Sequence, residues 1–212
     1  MPLTPWFAVK AAGCFAVVAA VAAARITRKN HPYPTFGPAN YVTAVRAVLV
    51  SLVAGAIGEP DGAAIARAVV AVAIVATVLD GVDGWLARRS HMPSAFGARF
   101  DMEVDAVLIM ALSVLAWTFD KADAWVLASG LLRYVFVVAG WVWPWMDRPL
   151  ESSRRRQIVC VIQIAALIVV VSPLVTRPAS ALIAAAALAV LAGSFLADVS
   201  WLASRAGQAR TP

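Results

Sequence analysis

Leu79-Asp-Gly-Val-Asp-Gly-Trp-Leu-Ala-Arg88 and, after a short gap, Phe96-Gly-Ala-Arg-Phe-Asp-Met-Glu-Val-Asp105 decide how this chain is read. The first stretch closes one long apolar run and the second opens the next. Asp80 and Asp83 are three residues apart, Asp101 and Asp105 four, so on helices each pair shares one face. A short connection lets the two helices pack antiparallel and bring all four carboxylates to one membrane depth. Four carboxylates so placed repel one another and resist burial. Something positive must sit among them, and hard divalent cations with oxygen ligands, Mg²⁺ or Mn²⁺, fit best. Two such ions can bridge a diphosphate and stabilise charge on both attacking and leaving oxygens. One carboxylate can also take a proton from an attacking hydroxyl. Gly84, Ala87 and Gly97 leave room beside the helices for a ligand, and Arg88 suits a phosphate oxygen. A lone Asp at a membrane helix end is ordinarily a solvated cap. Four at these spacings, with Gly and Arg interleaved, point to a cation site. Glu103 falls on another face and reads as a solvated charge.

The solvent around these helices is lipid. Of 212 residues, 62% are hydrophobic, and the mean hydropathy is +0.80, well above the half-apolar composition of a soluble domain. Apolar runs long enough to span, about 17–25 residues, fall near 6–25, 41–58, 63–86, 102–119, 123–145, 157–175 and 179–203. The expected fold is an all-α integral membrane protein with a six-helix transmembrane core and an additional N-terminal helix. Residues 1–30 form that added helix, spanning or lying in the interface, and residues 31–212 form the main membrane domain. The net charge of +6 would suggest nucleic acid in a soluble protein. Here the basic residues alternate by loop: Arg25, Arg28 and Lys29, then Arg88, Arg89 and Arg99, then Arg148 and Arg154–Arg156, then Arg205 and Arg210. That is the positive-inside pattern. It predicts a multi-pass protein of the cell membrane with the aspartates facing the cytoplasm, membrane lipids as partners and no nucleic acid. Most tryptophans sit near segment ends, as an aromatic belt does. Cys14 and Cys160 lie in apolar segments with no nearby Cys or His and read as small buried hydrophobes.

The run Asp80-x2-Asp83-Gly84-x2-Ala87-Arg88-x8-Gly97-x3-Asp101-x3-Asp105 resembles the signature of the CDP-alcohol phosphotransferases, also called CDP-alcohol phosphatidyltransferases, at every fixed position. Asn40-x2-Thr43-x2-Arg46 is a second, weaker match at the start of the first core helix. The resemblance implies six core helices and transfer of a phosphatidyl group from a CDP-linked donor, CDP-diacylglycerol, to a small alcohol acceptor, releasing CMP. It implies two divalent ions held by Asp80, Asp83, Asp101 and Asp105, with Asp105 also the general base. It implies nucleotide contacts from Gly84, Arg88 and the loop residue Ser94, with Asn40, Thr43 and Arg46 closing the site. Ala87 and Gly97 are the small positions of the same motif. Members of the family commonly pair, which implies a homodimer.

The acceptor is harder to read. Arg148-Pro-Leu-Glu-Ser-Ser-Arg-Arg-Arg-Gln157 precedes a helix, and arginines at a helix N-terminus make an anion site. That suits a phosphorylated acceptor such as glycerol 3-phosphate or inositol phosphate, with Arg154 and Arg155 better placed than Arg156. The commoner role of such arginines is an anchor on anionic lipid. Arg133, near the middle of an apolar run, either lines the acceptor cavity or pairs with Asp198. Arg67 snorkels at the opposite membrane face, and His31 and His91 are lone loop histidines. Two other classes use an aspartate cluster. A cation transporter predicts acidic residues through the whole membrane depth, and an assembly subunit predicts carboxylates that pair with a partner's basic residues.

Overall fold

The computed structural model describes all residues except 1–2, 28–29, 34, 61, 91, 93, 144, 147–152 and 209–212, together with the side chains of Arg25, Arg88 and 206–208. Arg28, Lys29, His91, Arg148, Arg210 and the side chain of Arg88, all weighed above, lie outside the described residues. Among the described residues the chain is helical, with no strand. The helices are α1 (Pro5–Arg25), α2 (Pro38–Gly55), α3 (Ala63–Arg89), α4 (Ala95–Thr118), α5 (Ala128–Val142), α6 (Arg154–Val171) and α7 (Ala179–Gln208). A 3-10 turn, Ala124–Leu127, leads into α5.

Local sequence sets these boundaries. Pro5 and Pro38 open α1 and α2, where a missing N–H costs nothing. The Ser94 hydroxyl caps α4 by accepting from the Gly97 amide at 3.0 Å. The expected segments hold, with shifted ends. The α2 helix starts earlier than expected because Pro38 supplies its first turn. The α6 helix starts at Arg154, so the arginines expected in a loop form a helical turn.

Five stretches, those of α1, α2, α3, α5 with its leading turn, and α7, are long and apolar enough to cross a membrane. The α4 and α6 helices have the length but begin with charge: Arg99, Asp101, Glu103 and Asp105 on α4, Arg154, Arg155 and Arg156 on α6. The outside of the bundle is apolar, with Val78, Val135, Leu182 and Leu196 each more than half exposed. A soluble fold would hide such side chains; a membrane protein turns them to lipid.

The core is built on α4, which packs against α1, α2, α5 and α6, and whose Leu108, Leu112 and Leu115 are fully buried. Gly130 lets α5 lie close: a Cβ there would stand 2.8 Å from Met110 Cα. The α3 and α4 helices touch each other less than each touches α2. The buried residues of α2 include Asn40, Thr43, Arg46, Ala47 and Val50. The aspartates meet beside α2, where one carboxylate oxygen each from Asp80 of α3 and from Asp101 and Asp105 of α4 lies within 4.8 Å of the others. At the opposite end α1 is fastened to the turn after α2. There Glu59 accepts from Lys10 Nζ at 2.7 Å, Thr4 Oγ1 at 2.6 Å and the Thr4 amide at 2.7 Å.

Candidate functional site

Arg46 is the only charged residue of α2, and it is 1% exposed. All three guanidinium nitrogens are engaged. Nε donates to Ala76 O at 3.1 Å. Nη1 donates to Asp83 Oδ2 at 2.9 Å and to Asp101 Oδ1. Nη2 donates to Asp105 Oδ1 at 2.6 Å and lies 2.8 Å from Asp80 Oδ1. The two aspartates of α3 and the two of α4 thus converge on one point, as their spacing predicts, and an arginine from a third helix marks it. The positive charge that four carboxylates demand is supplied in part from within the chain.

The four are not equivalent. One ligand oxygen each from Asp80, Asp101 and Asp105 lies within 4.8 Å of the others. Asp83 stands beside this trio. It is buried, and its Oδ2 also accepts from Thr43 Oγ1 at 2.9 Å. The donor set is hard oxygen throughout, which suits Mg²⁺ or Mn²⁺. One guanidinium against four carboxylates leaves negative charge to spare, so the residues present fit a divalent metal centre.

Other expected residues are placed less simply. Asn40 is buried, donates from Nδ2 to Phe36 O, and sits against Gly97. A Cβ at Gly97 would stand 2.6 Å from Asn40 Oδ1, so the space left by Gly97 is filled by Asn40 and not by a ligand. Ser94 works as the α4 cap, and its Oγ also meets His31 Nδ1 at 3.2 Å. His31 is thus no isolated loop residue: it bonds Thr35 O and packs edge-on against Phe96. Gly84 and Ala87 are half-buried on the last turns of α3.

Two expectations on the acceptor side need correction. Arg133 pairs with Glu103 at 2.7 Å and not with Asp198, so Glu103, its side chain 34% exposed, is a partnered charge rather than a lone one. Asp198 pairs with Arg155 and, at 3.3 Å, with Arg156. Arg154 is exposed in the same turn. Sequence reasoning missed Cys160, whose Sγ donates toward Asp105 Oδ2 at 3.7 Å. Nothing in its apolar surroundings signals that contact. It also gave Arg46 to the nucleotide alone, although a single arginine in an apolar span is itself the sign of a buried partner.

The family model for CDP-alcohol phosphatidyltransferase matches residues 36–195, most of the chain and all four aspartates. The chain belongs to the CDP-alcohol phosphatidyltransferase family. No curated protein and no solved structure matches it. As a CDP-alcohol phosphatidyltransferase family member it is a multi-pass membrane transferase of phospholipid biosynthesis, a class that moves a phosphatidyl group from a CDP-alcohol and uses divalent metals. The match begins just before α2, so α1 lies outside it.

Proposed function

We propose that this family member transfers the phosphatidyl group of CDP-diacylglycerol to a small alcohol, releasing CMP, at the cytoplasmic face of a cell membrane. The observation that carries the reading is the convergence of Asp80, Asp83, Asp101 and Asp105 on one buried point. In this reading the four aspartates hold two divalent cations, Mg²⁺ or Mn²⁺. Bound there, the ions neutralise the diphosphate and make its phosphorus electrophilic. Gly84, Ala87 and Gly97, with Arg88, belong to the nucleotide side by their place in the motif, and Ser94 closes the loop between them. Asn40 and Thr43 act through what they hold: Asn40 fits against Gly97, and Thr43 fixes one oxygen of Asp83.

Asp105 accepts the proton of the acceptor hydroxyl. The alcohol oxygen bonds to the phosphorus that carries the diacylglycerol, and the bond from that phosphorus to the bridging diphosphate oxygen breaks. CMP leaves with the electron pair, in a single displacement with inversion. The Arg154–Arg156 turn supports a phosphorylated acceptor, glycerol 3-phosphate or inositol phosphate, with Arg154 and Arg155 as its contacts. Arg133, tied to Glu103, is the outlying candidate. Residues 31–212 form the catalytic membrane domain with its six-helix core, residues 1–30 an added helix, and two copies a homodimer.

The alternatives have less support. The arginine inside the cluster gives the carboxylates a partner from their own chain, which an assembly subunit would need from another. The acidic site residues gather at one end of the bundle, which gives a transporter no path. The test is CMP release by the purified protein in detergent with CDP-diacylglycerol, Mg²⁺ and a panel of acceptors, with Asp105→Asn as control. Acceptor-dependent release that the substitution abolishes is the expected result. No release with any acceptor, and no CMP binding in Mg²⁺, would overturn the proposal.

A further inference from the structure

Gln163 is buried at 0% exposure in the middle of α6, and neither its amide nitrogen nor its amide oxygen has a hydrogen-bond partner. Buried polar side chains are nearly always bonded, and an exception points to a bound water, ion or ligand. Its position narrows the choice. Cys160, three residues earlier, directs Sγ at Asp105 Oδ2 from the same buried face of α6. Side chains three apart on a helix are neighbours, about 5–6 Å between Cβ atoms. The Gln163 amide therefore lies one turn deeper than the contact between Cys160 and Asp105. The α6 helix packs against both α3 and α4, the two helices that carry the aspartates. Beyond Gln163 the face is apolar, with Leu167 fully buried. Polar character on this wall thus runs from the arginine turn through Cys160 and stops at Gln163.

We infer that Gln163 forms the floor of the acceptor site and selects an alcohol with a second hydroxyl. A carboxamide offers donors and an acceptor at once, which matches a neutral hydroxyl. A phosphate would call for cationic donors, and these stand about two turns away at the start of α6. An acceptor whose reacting hydroxyl lies at Asp105 presents a neighbouring hydroxyl to the amide. An alcohol lacking that group leaves a buried amide unsatisfied, and sites built this way reject such analogues strongly. No bond is made or broken at Gln163. The inference rests on the phosphatidyl-transfer reading and adds a specificity-determining residue to it.

The test compares wild type with Gln163→Met in detergent, with CDP-diacylglycerol and Mg²⁺. The acceptors are glycerol 3-phosphate and myo-inositol 1-phosphate, each beside an analogue lacking the hydroxyl next to the reacting one, and serine. Wild type should favour the better polyol over its deoxy analogue by about tenfold or more, the worth of one buried hydrogen bond. Gln163→Met should raise the KM for that polyol about tenfold, erase the discrimination and leave the KM for CDP-diacylglycerol alone. If Gln163→Met does not fold, Gln163→Asn, shorter by one methylene, must shift the same KM. Unchanged KM and discrimination, with a higher Tm, would show a merely structural amide and overturn the inference. So would a wild type that uses serine and no polyol, although the transfer reaction itself would then stand. Failure of wild type to release CMP with every acceptor would instead overturn that reaction.

Discussion

Two charge clusters lie at the same end of the helix bundle, and their balances are opposite. Around Arg46 four carboxylates face one guanidinium; around Asp198 two arginines face one carboxylate, with Arg154 in the same turn. The first cluster is short of positive charge and calls for cations. Among the described residues the second gathers more arginines than carboxylates, which suits an anion. They also differ in exposure, since the Arg46 side chain is 1% exposed and that of Arg155 is 42% exposed. In the buried cluster each charge is tolerated because the others are present, and removing one strands the rest. In the second cluster the arginines are partly open to water and Asp198 is buried against two of them, so losing one arginine leaves the carboxylate a partner. One end of the molecule therefore sets a cation-seeking pocket beside an anion-seeking rim, a pairing that suits a metal-bound diphosphate with a phosphorylated alcohol arriving next to it.

The largest effect comes from breaking the pocket chemically without unfolding it. Asp105→Asn keeps shape and removes the proton acceptor, so CMP release should fall by about 10²–10⁴-fold while CMP still binds in Mg²⁺. Turnover that survives the change would remove Asp105 from the role of base. Breaking the same pocket electrostatically affects folding. Arg46→Ala leaves the buried Asp83 and the partly buried Asp80, Asp101 and Asp105 without their shared partner and should destabilise the metal-free protein by up to about 3–5 kcal/mol. Added Mg²⁺ should restore most of the loss, because divalent cations supply the missing charge. A melting curve in EDTA and then in Mg²⁺ decides it. If Mg²⁺ restores nothing, cations and guanidinium do not share a site, and the metal-centre reading loses its basis.

The pocket was legible in the sequence because helical spacing is a strong constraint: carboxylates three and four apart must share faces, whichever helices carry them. Which helix brings them together was not. The pattern of α3 and α4 allowed a direct antiparallel pair, and the closer packing of α2 against each of them depends on three-dimensional fit that periodicity does not rank. Arg46 shows the same limit. Its burial was foreseeable from one charge in an apolar span, but its four partners came from residues 34 to 59 positions away. The rim was misread at Glu103, Arg133 and Asp198 because pairing among long, flexible side chains depends on helix rotation by a few tens of degrees. Seven helices near their expected places, by contrast, follow from hydropathy and from proline and glycine breaks, which act locally.

A steric test of the pocket is Gly97→Ala. The added methyl would stand 2.6 Å from Asn40 Oδ1, and Asn40 is held by its bond to Phe36 O. Either α4 or Asn40 must shift, at about 1–3 kcal/mol, read as a lower Tm. Asn40→Ala in the same protein should recover part of that loss, since it removes the atom that clashes. At the opposite end of the bundle a third charged site gives a pH effect confined to α1. Hydrogen bonds from Lys10 and Thr4 hold Glu59 down at about 2, below its ordinary value. A depressed carboxylate stabilises the fold above the pKa of the unfolded chain, about 4.3, and that contribution fades as pH falls through about 2. Hydrogen exchange in α1 should therefore speed up between pH 5 and pH 2 before the aspartate helices respond, and Glu59→Gln should flatten the change.

The smallest effect on stability belongs to the rim, where it is most informative. Arg155→Ala removes one of the two arginines on the buried Asp198 and leaves Arg156 in place, so the Tm should move less than for Arg46→Ala. Its effect should appear instead in the KM for a phosphorylated acceptor, with the KM for CDP-diacylglycerol unchanged. Salt separates the two clusters without any mutation. Raising ionic strength to about 1 M shortens the screening length to about 3 Å, which should weaken acceptor binding at the rim much as Arg155→Ala does. The cluster around the buried Arg46 is screened less, so Mg²⁺-dependent CMP binding should fall less at the same salt. If salt reduces both equally, the two clusters are one continuous electrostatic surface, and the assignment of cations to the pocket and anions to the rim fails together.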